Sequence, residues 1–437
     1  MKLLHLNMYK KINYIAAVLL LLASISAEAQ ITTQSPYSRY GLGNFRGLLL
    51  PQYRAMGGIS TAVNKPTLYS NINMQNPASY PGISLTTLDI GMTGGFTKLK
   101  SNGQEESSYN STLSHVALAF PVVSGKSALS FGILPYTELG YEYAVSGKLD
   151  TTDVNYLYSG EGGLTKAYIG YGQQFGDNFR IGGNIEYLFG NLQENRASEL
   201  LTYPTVNNRQ QDKNSVGGIT FSYGAQYDIQ LGNKQSLTLG YSGSSSSSVN
   251  SKKSYVLTRY LNDVNGDAQP ALDTLENRES ASSKLKLPLM HNFGIAFQKT
   301  NKWLIGADYR MGKWSKLTMG GENQGLQDSW GVSAGGQFIP DMGAVSGYFN
   351  RVEYRMGVTY DKTYISLNDQ DIKQMAVTFG LGLPLSSTSR YSLYKLNLTT
   401  EIGKRGSMKN GLLQENYFNL HLGFTLNDTW FRRFKFD

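Results

Sequence analysis

"ITFSYGAQYDIQL", residues 219–231, places Ile219, Phe221, Tyr223, Ala225, Tyr227, Ile229 and Leu231 on one parity. Thr220, Ser222, Gly224, Gln226, Asp228 and Gln230 occupy the other. Only a β-strand puts alternate residues on opposite faces. At 13 residues the stretch is about twice an ordinary globular strand. A strand this long, apolar on one face and polar on the other, fits a wall between lipid and water.

The same pattern recurs outward from this segment. Candidate strands lie at 83–98, 111–120, 128–145, 164–175, 179–192, 217–231, 236–249, 284–298, 302–314, 329–338, 350–360, 373–383, 391–402 and 416–426. A tilted membrane strand takes about 9–11 residues, and most of these are long enough. Tight-turn signals, "GDN" after 175 and "GNKQ" after 231, alternate with polar stretches at 193–216 and 250–283 that read as long loops. Short turns on one side and long loops on the other are the habit of outer-membrane barrels. "SGSSSSSV" (242–249) fits a loop as well as a strand. The expected fold is all-β, a fourteen-stranded transmembrane antiparallel β-barrel. A secreted soluble β-sandwich or propeller would also alternate, but with shorter strands and fewer aromatic residues.

The 437-residue chain carries 48 Gly and 30 Tyr and no Cys. Disulfides, thiolate metal sites, Cys nucleophiles and a Cys-borne lipid anchor are thereby excluded. Lys2, Lys10 and Lys11 precede the apolar run "IAAVLLLLASISA" (15–27), and Ala27-Glu28-Ala29 fits a cleavage site. Residues 1–29 therefore read as a signal peptide, and residues 83–437 as the barrel. The cleaved chain carries 37 Lys+Arg against 31 Asp+Glu. Lys252-Lys253 and Arg432-Arg433 are pairs, not long basic runs, and nucleic acid is not an expected partner.

Residues 30–82 lack strand character. About eight strands already make a barrel that side chains can fill, so fourteen leave room for this segment as an N-terminal hatch or plug. Within it, Asn76-Pro77-Ala78 reads as the capped start of a short helix, and Gly57-Gly58 as a bend. Pro135 interrupts the third candidate strand, and either marks a defect in the wall or ends a strand near 134.

Glu186, Asp228, Asp308, Arg310, Arg351, Glu353, Arg355, Lys395 and Glu401 share the polar parity. Charges are costly against lipid and acceptable in a wet lumen. They read either as a structural charge network or, at Arg351 or Arg355, as a seat for a ligand carboxylate. "GVSAG" (331–335) matches G-x-S-x-G at Ser333, but lies inside a strand-like run where a nucleophile elbow needs strand, turn and helix. His115, His291 and His421 show no partner pattern in the sequence. No enzyme, cofactor or metal is expected. "DVNGDAQPALD" (263–273) carries Asp263, Asn265 and Asp267, yet Gly266 is fourth and Thr274 twelfth, which departs from a calcium loop.

Asn76-Pro77-Ala78 resembles the NPA element in the hatch of FadL-type long-chain fatty-acid transporters. "KLP" (286–288), "FGIAF" (293–297) and "WLIGADYRMGKWS" (303–315) also resemble that family's pattern. "SPYSRYGLGN" (35–44) and the closing "FTLNDTWFRRFKFD" (424–437) look like Bacteroidetes relatives, although "NDTWFRRFKFD" trails past the last clear strand. The resemblance implies a monomer in the outer membrane of a Gram-negative bacterium. It implies passive transport of small hydrophobic, fatty-acid-like compounds, and a side window at the third strand, here Pro135. Lipid bilayer and a hydrophobic small molecule would be the partners. The alternative is an accessory barrel for surface-protein export, as in the PorV-type partners of type IX secretion systems, with secretion proteins as partners.

Overall fold

The computed structural model describes residues 35–101, 103–201, 205–263, 266–386 and 392–429. The expected signal peptide and the tail from 430 lie outside them. Fourteen strands form the barrel. They are β1 (Thr86–Ser101), β2 (Gln104–Val123), β3 (Ser127–Leu149), β4 (Thr152–Phe175), β5 (Phe179–Leu200), β6 (Asn207–Gly232) and β7 (Gln235–Ser244). The rest are β8 (Met290–Lys299), β9 (Trp303–Gly312), β10 (Ser329–Phe338), β11 (Glu353–Leu367), β12 (Gln370–Leu385), β13 (Leu393–Gly406) and β14 (Gln414–Asp428). Each pairs antiparallel with the next, and β14 pairs with both β13 and β1, from Thr86↔Asp428 to Lys100↔Gln414. That last ladder closes the cylinder.

Alternation sets the two faces. On β6, Phe221 is 49% exposed while Gln226, five residues on, is 1% exposed inside the barrel. Outward residues such as Ile169, Ile185, Ile219, Ile305 and Met356 form the apolar skin. In a bilayer this face loses nothing by leaving water, and the closed ladder leaves few backbone groups unpaired in hydrocarbon. Tight turns join several strands: Asn233 and Lys234 both take positive φ, as do Asn368 and Asp369, the backbone a two-residue hairpin requires.

The stretches expected as long loops are largely strand. β5 runs on to Leu200 and β6 starts at Asn207, while 250–283 holds most of Ser248–Tyr260, all of Asp273–Glu279 and the start of Ser283–Lys286. Their polarity reported water, not an irregular backbone: beyond the membrane, hydrated strands still pair. β3 to β6, of 22 to 26 residues, therefore rise as a tall sheet, extended by Ser248–Tyr260 on β6 and by Asp273–Glu279 at its edge. β7 to β10, with 10 residues each, only span the membrane. "SGSSSSSV" divides, with 242–244 and 248–249 in strands and 245–247 outside them.

Residues 35–85 run inside the cylinder. Leu50, Tyr53, Met56, Ile59, Ile72 and Tyr80 pack in one apolar cluster with wall residues Ala117, Tyr168 and Leu304. Tyr37 and Leu42 join a second with Tyr136, Trp314 and Tyr364. Gly57, at φ +71°, lies so close to β11 that a Cβ there would stand 2.6 Å from Val358 O. Only glycine fits such a contact on such a backbone.

Candidate functional site

The inner segment is tied to the wall by side chains that replace missing backbone partners. Asn76 caps the short 3₁₀ turn Pro77–Gly82: its Oδ1 accepts Ala78 N–H at 3.1 Å. Its Nδ2 donates to Thr61 O at 2.6 Å and to Tyr241 O of β7 at 3.3 Å. Gly57 N–H donates to Thr378 Oγ1 on β12 at 2.9 Å, and Thr378 donates to Ala55 O. Asn427 on β14 accepts Ser70 N–H and returns a bond to Ser70 O. The neighbouring Gly58, at φ +89°, continues the bend.

Most of the polar-parity charges are spent on partners within the protein. Lys166 pairs with Glu186 at 2.6 Å, and Arg180 holds Asp228 at 2.5 and 2.7 Å. Asp308 accepts backbone N–H groups of the inner segment. Arg310 donates to Ser333 at 2.6 Å and to Asp361 at 2.7 Å. Ser333 therefore serves as a partner of Arg310 in mid-strand, with no helix following. Glu401 faces His421 Nε2 at 3.4 Å. Arg355 donates to Gln337 at 2.7 Å, to Asn397 at 2.8 Å and to Glu353, which Lys395 also reaches at 3.1 Å.

Of the two readings open in the sequence, a charge network and a ligand seat, these contacts favour the network. Arg355 has its donors engaged in the wall. Arg351 does not sit on a lumen-facing strand: it ends the 3₁₀ turn Tyr348–Arg351, two residues before β11, against the Tyr348 ring at 5.9 Å. β11 starts at Glu353, later than the expected strand 350–360, because alternation continues into the turn. In the 263–273 loop, Asp263 accepts Asp267 N–H at 2.9 Å, Gly266 takes φ +90°, and Asn265 lies outside the described residues.

Two cavities flank residues 45–49 of the inner segment. One, of about 280 Å³, opens among the ends of β7 to β10 that carry the long excursions, and meets Leu48, Leu49, Met290, Trp314 and Tyr364. The Trp314 and Tyr364 rings stack there at 4.3 Å, and Tyr364 donates to Gly43 O at 2.7 Å. The other, of about 190 Å³, is more polar and reaches Leu134 and Pro135 on β3.

Arg54 borders both cavities. Its guanidinium donates to Leu49 O at 3.1 Å and to Arg46 O, and makes no ion pair among the described residues. Burial draws it below its ordinary pKa, with Glu401 opposing, yet an arginine stays charged. Sequence reading missed it because it lies on the four-residue helix Pro51–Arg54, outside any alternating strand.

Pro135 stands beside a break in the wall. The β2–β3 ladder runs only from Val123↔Ser127 to Val116↔Ile133. Above it β2 pairs with β1 alone, while β3 continues to Leu149 on β4, with Tyr136 as an extra residue between Pro135 and Thr137. The strand neither ends near 134 nor keeps both neighbours. Proline, with no N–H to give, stands two residues past the last β2–β3 pair. Asn44–Phe45 of the inner segment pairs with Thr137 and Glu138 beside the break, and Asn110 on β2 reaches Glu138 across it at 3.0 Å.

Several solved structures share this architecture. The toluene transporter TodX of Pseudomonas putida aligns over 89% of this chain and 100% of its own, at 15% identity and a TM-score of 0.54. A Pseudomonas aeruginosa FadL homologue aligns over 89% and 100%, at 13% identity and 0.55. CymD, a monoaromatic hydrocarbon channel, aligns over 89% and 99%, at 14% identity and 0.52. No curated protein matches the sequence. A family model described as BamG matches residues 8–437.

Proposed function

The chain belongs to the BamG family, and from its barrel, its two cavities and its broken wall we propose that it passes small hydrophobic compounds across the outer membrane. The protein is a β-barrel of the Gram-negative outer membrane. The single observation that carries the reading is the pair of cavities on either side of residues 45–49, one at the mouth and one at the break beside Pro135.

A compound lands against Trp314 and Tyr364, displaces residues 45–49 and reaches the second cavity. It then leaves between β2 and β3 into lipid, never crossing the polar interior unaided. Residues 30–82 act as the hatch, with Asn76, Pro77, Ala78, Gly57 and Gly58 fixing its path. Arg54, between the cavities, is placed to hold the carboxylate of a fatty-acid-like cargo by paired N–H donors. Flux follows the gradient, and one chain closes the barrel, so a monomer suffices.

Uptake of a fluorescent fatty acid into outer-membrane vesicles tests this. Vesicles carrying the protein should load faster than empty ones, and a covalent bridge across the break should slow them. Equal loading with and without the protein would refute the reading.

A second reading, engagement of a protein in surface export, has its own observation. The edge strand Asp273–Glu279 of the tall sheet pairs on one side only among the described residues, and open strand edges take added strands. Stoichiometric recovery with a secretion pore from gently solubilised membranes would favour it.

A further inference from the structure

We propose that Ser114, His115 and Asp89 form an acyl-hydrolase centre at the foot of the wall break, acting on carboxylic esters that carry an apolar chain. In a regular strand, adjacent residues face opposite sides. Here β2 bulges: Gly91 pairs with His115 and Met92 with Leu113, which leaves Ser114 as the extra residue. Burial follows the even positions into the lumen up to Ser114 and the odd positions from His115 onward. The bulge thus turns a serine and the next histidine to the same face, a use to which bulges near active sites are put.

The three side chains form a chain of hydrogen bonds. Ser114 Oγ lies 2.6 Å from His115 Nδ1, and His115 Nε2 lies 2.7 Å from Asp89 Oδ1. The other Asp89 oxygen accepts Thr425 Oγ1 at 2.7 Å, and Thr425 in turn accepts Asn397 Nδ2 at 3.0 Å. Asp89 and His115 are buried, whereas Ser114 is partly exposed. Gly91 makes the room: a Cβ there would stand 2.8 Å from both Ser114 Oγ and His115 Nδ1. A serine donating to one imidazole nitrogen, with the other nitrogen held by a fixed carboxylate, is the arrangement of an activated nucleophile. The arrangement is defined by geometry and roles, not by chain order.

The position supplies the substrate class. Ser114 borders the 190 Å³ cavity together with Leu134 and Pro135, where the wall opens toward the acyl chains of the bilayer. The centre rests on the reading that apolar molecules reach this cavity. From Gln104 to His115 the other edge of β2 has no strand partner among the described residues. Its backbone N–H groups are donors for a developing oxyanion.

Ser114 Oγ attacks the ester carbonyl carbon and passes its proton to His115 Nδ1. The carbon–oxygen bond to the alcohol breaks, and the alcohol leaves with that proton. Water then attacks the acyl-serine with His115 as base, releasing the carboxylic acid and restoring Ser114. Asp89 holds the ring and stabilises the imidazolium. One ester and one water give one acid and one alcohol.

The test uses the full chain in detergent, an alkyl fluorophosphonate and p-nitrophenyl esters of short and long acids. The fluorophosphonate should attach to Ser114, located by mass spectrometry, and S114A should remove both labelling and hydrolysis. D89N should lower hydrolysis by at least ~100-fold, the usual range for losing acid–base assistance. S114A is a small change whose barrel should keep the wild-type gel shift on heating. Wild-type vesicles separate the two readings: fatty-acid uptake without ester hydrolysis refutes the centre alone, and hydrolysis without uptake refutes transport alone. Wild-type hydrolysis no faster than S114A, or a label on another residue, would overturn the proposal, even with transport unaffected.

Discussion

Asp308 on β9 accepts the backbone N–H groups of Ser60 and Thr61 through a single oxygen, Oδ2, at 2.8 and 2.9 Å. A wall carboxylate thus closes a turn of the inner segment that no backbone acceptor reaches. Hydrogen bonds to charged groups contribute about 1.5–3 kcal/mol each. D308A should therefore loosen residues 56–64, seen as faster amide exchange there, while barrel strands keep their protection. D308N, which retains an acceptor oxygen, should fall between the two. Unchanged exchange in D308A would show that packing alone holds the segment.

Gly57 gives a steric test of the same seating. G57V adds a β-branched side chain to a backbone at φ +71° and places its Cβ against Val358 O. Strain of this kind costs on the order of 1–3 kcal/mol for the backbone alone. The variant barrel should still resist heat on gels, yet its inner segment should become sensitive to protease added at the outside. Full protease resistance would mean that residues 35–85 do not run where the structure places them.

Arg54 decides what the cavities prefer. R54M removes the guanidinium while keeping much of its apolar bulk. Uptake of a long-chain carboxylate should fall about tenfold, the effect of ~1.4 kcal/mol, whereas the matching uncharged alcohol should load as before. Equal loss for both cargoes would assign Arg54 to holding Leu49 O and Arg46 O and no more.

The wall break can be closed chemically, because the chain has no cysteine of its own. Asn110 and Glu138 face each other across the break at 3.0 Å. N110C/E138C joined by a short cleavable thiol crosslinker should slow cargo loading, and cleavage should restore it. Loading that ignores the bridge would point to an exit past the inner segment into the periplasm.

The barrel was legible because lipid and water impose opposite demands on alternate residues. The stretch at 329–338 came out with the same bounds as β10. The tall sheet was not legible: strands such as 193–200 and 207–216 meet water on both faces, so nothing alternates. Arg54 was hidden on a short helix without periodicity. The wall break was signalled by Pro135, but not its partner strand, since a single sequence does not say where pairing stops. Ser114 and His115 gave no signal because adjacent residues sit on opposite faces unless a bulge intervenes, and Asp89 lies 26 positions away.

The most direct test is photolabelling in vesicles by phospholipids that carry a reactive group on an acyl chain, with modified residues located by mass spectrometry. Along β6 the label should fall on Ile219, Phe221 and Tyr223 and spare Thr220, Ser222 and Gln226. At the break it should also reach inward Leu134 of β3. Labels on both parities of β6, or none on Leu134, would contradict a lipid-facing cylinder with an opening between β2 and β3.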